Sequence, residues 1–339
     1  MRALVVRGNN QVALEEVPTP ALEAGSVLVR PAMVGLCGTD LEIVDGRIDP
    51  AYVRLPLVIG HEWTGVVVDP GTARDAPAGG TRVVVEGIVP CRHCRACVAG
   101  NTNLCATYDE FGFVRSGAAA DLIAVPVELI HEVAGSVSDE SATLVEPASV
   151  VMRALQRAAP RPGMNVLVVG DGTVGLLAAT LVQLWSPANV TMLGARPEQR
   201  SLAQAAGVDR FSSTATAEVV TSSEFDLVIE AAGAPTAVST ALAAPARGGV
   251  VVLLGLAGHG VACPLLIDDV VNADITVMGS FSYTSTAWAQ VVQLLNSGRM
   301  DFQFLVTHRY PLDKWANALD SLRTPTGERG KVVLTLAGG

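Results

Sequence analysis

Two short stretches carry most of the metal-binding chemistry available to this chain. Gly35-Leu36-Cys37-Gly38-Thr39-Asp40 and Gly60-His61-Glu62 together offer a thiolate, an imidazole and two carboxylates. That set suits a zinc site that keeps one position open for water or substrate. A lone Cys or His reads more simply as packing; here two motifs occur together and with the features below. Each follows an apolar strand-like run, Val27 to Val34 and Leu55 to Ile59, so the ligands sit at strand ends where turns can aim them at one another.

A second group is Cys91, Cys94, Cys97 and Cys105, spaced C-x2-C-x2-C-x7-C on one loop after Pro90. Four thiolates this close can close a tetrahedral shell around zinc, which makes the ion structural. An iron–sulfur cluster is the rival reading. His93 lies inside the loop but is surplus to a four-sulfur shell. Cys263, beside Pro264, reads as packing.

A third motif is Gly170-Asp171-Gly172-Thr173-Val174-Gly175, after the strand-like Val166 to Val169 and before an apolar helix. Gly-x-Gly-x-x-Gly means little alone, and a glycine turn without ligand is its bland reading. Strand before, helix after and an alternating α/β pattern beyond are the context of a dinucleotide turn, with phosphates resting on the helix N-terminus.

These groups must be positioned by two kinds of architecture. From Met1 to about Val150, short β-branched strands alternate with Pro and Gly turns, which predicts an all-β, barrel-like domain. From Met152 to Ser285, strands at Val166–Val169, Val190–Leu193, Asp226–Ile229, Val250–Leu254 and Ile275–Met278 alternate with helices. That pattern predicts a parallel, doubly wound sheet. A helix near Trp288 to Leu295 and a strand at Lys331 to Leu336 follow. A length of 339 residues, half of them hydrophobic, permits two well-filled cores. The net charge of -10 argues against a nucleic-acid partner. The apolar run Val166 to Trp185 is interrupted by Gly170, Asp171, Gly172 and Gly175, so it reads as strand, turn and helix and not as a membrane span. Six cysteines without a secretion signal suggest a reducing cytoplasm.

Gly60-His61-Glu62-Trp63-Thr64-Gly65, with Gly71 further on, resembles the zinc signature of the medium-chain dehydrogenase/reductase family. The likeness runs from the Met1-Arg2-Ala3-Leu4 strand to Gly330-Lys331-Val332-Val333. It implies an α/β protein: a GroES-like barrel over residues 1–151, completed by 286–339, and a Rossmann domain over 152–285. It implies a zinc-dependent alcohol dehydrogenase of the polyol, sugar or threonine type, with two zinc ions per chain. Cys37, His61 and Glu62 would be ligands. Glu146, in Val145-Glu146-Pro147, would join the metal directly or through water, or else merely favour the helix start behind it. Asp40 would accept a hydrogen bond from His61, and Thr39 would take the alcohol proton. Where many relatives carry a relay histidine, this chain has Glu42. The cofactor would touch Gly170, Gly172, Thr173, Val174 and Gly175, and also Ala232, Gly255, Leu256 and Phe281. Ile48, Tyr52, Phe111, Phe113 and Phe281 are candidates for the substrate pocket. Relatives pair edge to edge through the nucleotide domain, which would place Asp274 to Ser282 at a dimer or tetramer contact; burial of that run within a monomer is the alternative. A zinc-independent reductase of the same fold lacks these ligands, and a non-enzymatic zinc or redox module has no use for the dinucleotide turn.

Cofactor choice turns on the end of the second nucleotide-domain strand. NAD enzymes place Asp or Glu there to bind the ribose hydroxyls. This chain has Gly194, with Arg196 two residues on and Arg200 one helical turn further. A guanidinium grips a phosphate with two charge-assisted hydrogen bonds, so NADP is expected over NAD. Solvated arginines at a helix start are the alternative. Gly194→Asp is expected to move the preference toward NAD.

Overall fold

The computed structural model describes residues 1–8, 10–214, 224–258 and 260–336. Its backbone contacts divide the chain into two compact units. The first holds Met1–Glu146, Thr284–Thr326 and the chain from Lys331; the second holds Pro147–Tyr283 and Gly327–Gly330. The boundaries expected at 151/152 and 285/286 therefore fall at Glu146/Pro147 and Tyr283/Thr284, and Gly327–Gly330 goes to the second unit.

The first unit is built around Ser26–Leu36, an eleven-residue strand. One edge pairs antiparallel with Glu62–Asp69. The other pairs with Ile123–Pro126 along its first half and Lys331–Thr335 along its last. Arg82–Val85, Ile130–Glu132 and Val306–Pro311 extend the sheet outward. Val27, Val29, Val34, Leu36, Trp63, Val83 and Val332 fill its core, none more than 2% exposed. β-Branched residues dominate because they pack well on a pleated, half-buried surface.

Register positions the chemistry. Gly35 lies opposite Glu62, and Leu36 opposite Val332. The chain leaving the sheet toward Cys37, the chain entering it from His61 and the start of the Lys331 strand therefore meet at one end. Gly35 is a packing requirement there: a Cβ would stand 2.6 Å from Glu62 Oε2 and 2.8 Å from Lys331 Cε. After Cys37 the chain turns at once into the helix Gly38–Val44. Cys37 Sγ accepts from Thr39 N–H at 3.3 Å, and Asp40 Oδ2 accepts from Cys37 N–H at 2.9 Å, forming a reciprocal cap.

The second unit carries a six-stranded, all-parallel sheet. Its spatial order is Arg210–Ser213, Asn189–Gly194, Asn165–Val169, Phe225–Glu230, Pro245–Leu253, Thr276–Gly279. In chain order this is 3-2-1-4-5-6, with the switch point beside the first strand. Arg210–Ser213 is a strand the sequence pattern does not announce, since Arg-Phe-Ser-Ser has no alternation of its own. The apolar run resolves into the strand Asn165–Val169 and the helix Thr173–Val182. No helix among the described residues is long and apolar enough to cross a membrane.

Candidate active site

The ligand atoms of Cys37, His61 and Glu62 lie within 4.8 Å of one another, and His61 and Glu62 are buried. Cys37 Sγ is 3.2 Å from His61 Nε2. A tetrahedral zinc would hold such a pair about 3.5 Å apart, so the pair has to open by only a few tenths of an ångström. The charge balance also asks for a cation. Burial lowers the His61 pKa, but the Cys37 sulfur and Asp40 raise it well above the usual imidazole value. A proton there does part of the work a metal ion would do.

Asp40 is fully buried and stands 3.6 Å from His61 Nδ1. That is an approach, longer than the hydrogen bond expected; its other oxygen is taken by the Cys37 cap. Thr39 sits half-buried one residue into the helix, its backbone N–H on Cys37 Sγ, and Glu42, also half-buried, follows one turn later. Glu146 begins the helix Val145–Ala158 but falls outside the three-ligand cluster. Burial and the neighbouring charge of Glu62 push its carboxyl up to about 8.

Two further residues at this site carry no sequence signal of their own. Lys331, 2% exposed, places Nζ against Glu62 Oε2. Burial lowers its pKa, and Glu62 and Cys37 raise it again past the usual lysine value. Glu110, in Tyr108-Asp109-Glu110-Phe111, is pushed up to about 7 by burial, against the opposing influence of His61. Carboxyls crowded in this way are what a divalent cation relieves. Among the pocket candidates, Phe113 packs against the His61 ring at 5.2 Å. Phe111 instead belongs to the barrel core, 3% exposed, with Ile48 packed against it. Tyr52 is exposed, and Phe281 is half-exposed in the second unit.

The four loop sulfurs form a second cluster, again within 4.8 Å of one another. Cys91 Sγ and Cys97 Sγ are 4.0 Å apart, too far for a disulfide and close to the roughly 3.8 Å between thiolates on one tetrahedral zinc. Backbone hydrogen bonds from Cys97 and Ala106 lower Cys94 to about 6, the environment of a metal-binding thiolate. This compact shell suits one ion and not the wider iron–sulfur cluster. His93 is exposed, its ring bonded to Cys91 O at 2.7 Å.

In the second unit, Gly170 turns the chain at φ +119° after Asn165–Val169. Gly172 is the N-cap of Thr173–Val182 and offers no side-chain cap, and a Cβ on it would meet nothing within 4 Å. The first N–H groups at Thr173 and Val174 are thus left for an anion, as a pyrophosphate requires. Ala232, Gly255, Leu256 and Phe281 all follow the carboxyl ends of parallel strands, the same edge as the Gly170 turn.

At the second strand's end the structure bears on two expectations. A Cβ on Gly194 would stand 2.7 Å from Asp171 Oδ2 and 2.8 Å from Phe211 Cζ, so no carboxylate can be added there without dislodging Asp171. Gly194→Asp is therefore a disruptive change and not a clean switch toward NAD. Arg200 turns to the third strand, donating to Phe211 O at 3.2 Å with its guanidinium 5.5 Å from the Phe211 ring. Arg196 remains near the strand's end.

Comparison with known proteins decides the family. The alcohol dehydrogenase GroES-like domain matches residues 23–138, and the glucose dehydrogenase C-terminus matches residues 139–334. The chain belongs to the zinc-dependent medium-chain dehydrogenase/reductase family. Within that family it is similar to sorbitol dehydrogenase of Bacillus subtilis (strain 168), 30% identical over 94% of this chain and 93% of the relative. It is also similar to L-threonine 3-dehydrogenase of Shigella dysenteriae serotype 1, 28% identical over 99% of each. A solved structure from Sinorhizobium meliloti 1021, described as a zinc-binding dehydrogenase bound to NADP, superposes with a TM-score of 0.92 at 25% identity over 98% of each chain. As a medium-chain dehydrogenase of the polyol, threonine and sugar dehydrogenase-like branch, the protein is an oxidoreductase acting on a small molecule.

Proposed function

We propose that the protein transfers hydride between NADP(H) and a secondary alcohol or ketone on a polyhydroxylated or otherwise polar small molecule. The observation that carries this reading is the pair of half-buried carboxyls, Glu110 and Glu146, which feel the charges of His61 and Glu62. An apolar alcohol has no use for carboxyls that line its site; a polar substrate can bond to them. The relatives named for sorbitol and L-threonine fit that substrate class.

Cys37, His61, Glu62 and, directly or through water, Glu146 would hold the catalytic zinc, which when bound supplies Lewis acidity at the substrate oxygen. Thr39 accepts the hydroxyl proton at the end of the Cys37 strand, and Glu42, one helical turn on, offers an exit toward solvent. Lys331 holds Glu62 by Oε2 and so sets how far that carboxylate reaches. Gly172, Thr173 and Val174 seat the pyrophosphate, and Arg196 faces the 2′-phosphate. Cys91, Cys94, Cys97 and Cys105 hold a structural zinc. None of the six cysteines is in a disulfide, in keeping with a cytoplasmic setting.

Glu146→Ala tests the substrate class. Loss of a charged hydrogen bond costs about 1.5–3 kcal/mol. Polyol or sugar oxidation should therefore fall about ten- to a hundredfold in kcat/KM, with the NADP dissociation constant little changed. Turnover of aliphatic or aromatic alcohols alone, unaffected by the substitution, contradicts the reading.

We also propose that two copies pair through Thr276–Gly279. This is the sheet's edge strand, and Val277 is 38% exposed, with Leu266, Ile267 and Val271 more exposed nearby. An apolar open edge is a pairing surface. Light scattering at micromolar concentration should give a dimer or larger; a monomer removes the claim.

A further inference from the structure

One buried residue ties together the carboxyl ends of the fourth and fifth strands of the parallel sheet. Glu230 closes the strand Phe225–Glu230 and is 0% exposed. Its Oε1 accepts from Ala232 N–H and from Gly233 N–H, each at 2.8 Å. Its backbone carbonyl accepts from Leu254 N–H at 2.8 Å and from Gly255 N–H at 3.2 Å, just past the end of Pro245–Leu253. The turns also meet backbone to backbone. A Cβ on Gly233 would run into Leu256 O, and one on Gly170 would stand 2.9 Å from Ala232 N. The Gly170 turn, Ala232–Gly233 and Gly255–Leu256 therefore form one continuous floor.

The second side-chain oxygen is not used in this way. Glu230 Oε2 is buried with no hydrogen bond, and Glu230 makes no ion pair, among the described residues. It lies under Gly255, where a Cβ would stand 2.7 Å from it. Two backbone N–H groups on Oε1 suit a carboxylate, yet no cation balances it, and buried charges are normally paired. Topology shows what can balance it. In a 3-2-1-4-5-6 sheet each half seats one mononucleotide. The Gly170 turn and the end of the second strand serve the pyrophosphate and the adenosine ribose. The ends of the fourth and fifth strands are left for the nicotinamide half. That ring is a cation when oxidised and neutral when reduced. A fixed negative charge in a low-dielectric floor favours the oxidised form.

We propose that Glu230 is a positioning residue with an electrostatic role: Oε1 shapes the floor of the nicotinamide half, and the carboxylate charge strengthens binding of the oxidised cofactor relative to the reduced one. This rests on the reading of these strand ends as a nicotinamide dinucleotide site, and not on the choice between NADP and NAD.

The test is calorimetric titration of zinc-loaded wild type, Glu230→Gln and Glu230→Asp with the oxidised and, separately, the reduced forms of NADP and NAD. Glu230→Gln keeps a carbonyl oxygen for the two N–H groups and removes the charge. It should weaken the oxidised form about three- to tenfold more than the reduced form. Glu230→Asp keeps the charge but draws back from Ala232 and Gly233, so both forms should weaken by a similar factor. An oxidised-to-reduced affinity ratio that is unchanged in Glu230→Gln overturns this inference alone, because Glu230 is then only a structural support. A ratio that shifts as far in Glu230→Asp as in Glu230→Gln overturns it too, since the charge is then not the cause. Wild type that binds neither cofactor in either form overturns the dinucleotide reading and this inference with it.

Discussion

Cys37→Ala is expected to remove one zinc ion per chain and to lower kcat/KM by about a thousandfold or more. The thiolate is one of three ligand atoms gathered within 4.8 Å. Without it, His61 and Glu62 alone face a site crowded by Asp40, Glu110 and Glu146. Loss of Lewis-acid stabilisation amounts to several kcal/mol, and each 1.36 kcal/mol is a factor of ten in rate. The fold should survive. Cys37 lies at the end of a strand whose core residues are untouched, and the lost cap on Thr39 costs only about 1 kcal/mol. Circular dichroism should match wild type while metal analysis and turnover do not. A variant that keeps both ions, or a tenth of its activity, contradicts the assignment.

Cys94→Ala is expected to act on stability instead. The loop it belongs to has little core of its own: Val98 is 76% exposed and Leu104 54%. What closes the loop is the sulfur cluster, with Cys91 N–H donating to Cys105 Sγ at 3.3 Å and Cys94 N–H to Cys91 Sγ at 3.4 Å. Zinc binding there contributes directly to folding. Opening the shell should release the second ion and lower Tm by on the order of 10 °C, while activity at room temperature falls far less than in Cys37→Ala. Unchanged zinc content and Tm would show that the loop holds no ion.

The residues that bear on these two variants were legible because their types announce them. Cys37 and His61-Glu62 follow apolar runs, and a strand end followed by a ligand residue is a local pattern. The four cysteines need only spacing. Lys331 is different: a lysine opening a strand reads as solvent-facing until the register of Leu36 against Val332 places it beside Glu62. Glu110 likewise becomes a site residue only through the fold around it. The strand Arg210–Ser213 has no pattern because an edge position in a parallel sheet demands little of it. Near the cofactor, the sequence names Gly194 and Arg196 but not the Asp171 side chain that fills the space at Gly194 and engages Arg196. Arg200 has the expected spacing, but its contacts with the Phe211 carbonyl and ring come from a strand the sequence does not announce. Local chemistry was readable, and contacts set by distant register or by one side chain's placement were not.

The measurement that tests the account most directly is the zinc content of the wild-type chain, purified without chelators and counted by plasma mass spectrometry. Two sulfur-containing clusters, one open at Cys37, His61 and Glu62 and one closed by Cys91, Cys94, Cys97 and Cys105, predict two zinc ions per chain. One ion per chain, or none, would contradict the two-site dehydrogenase described here.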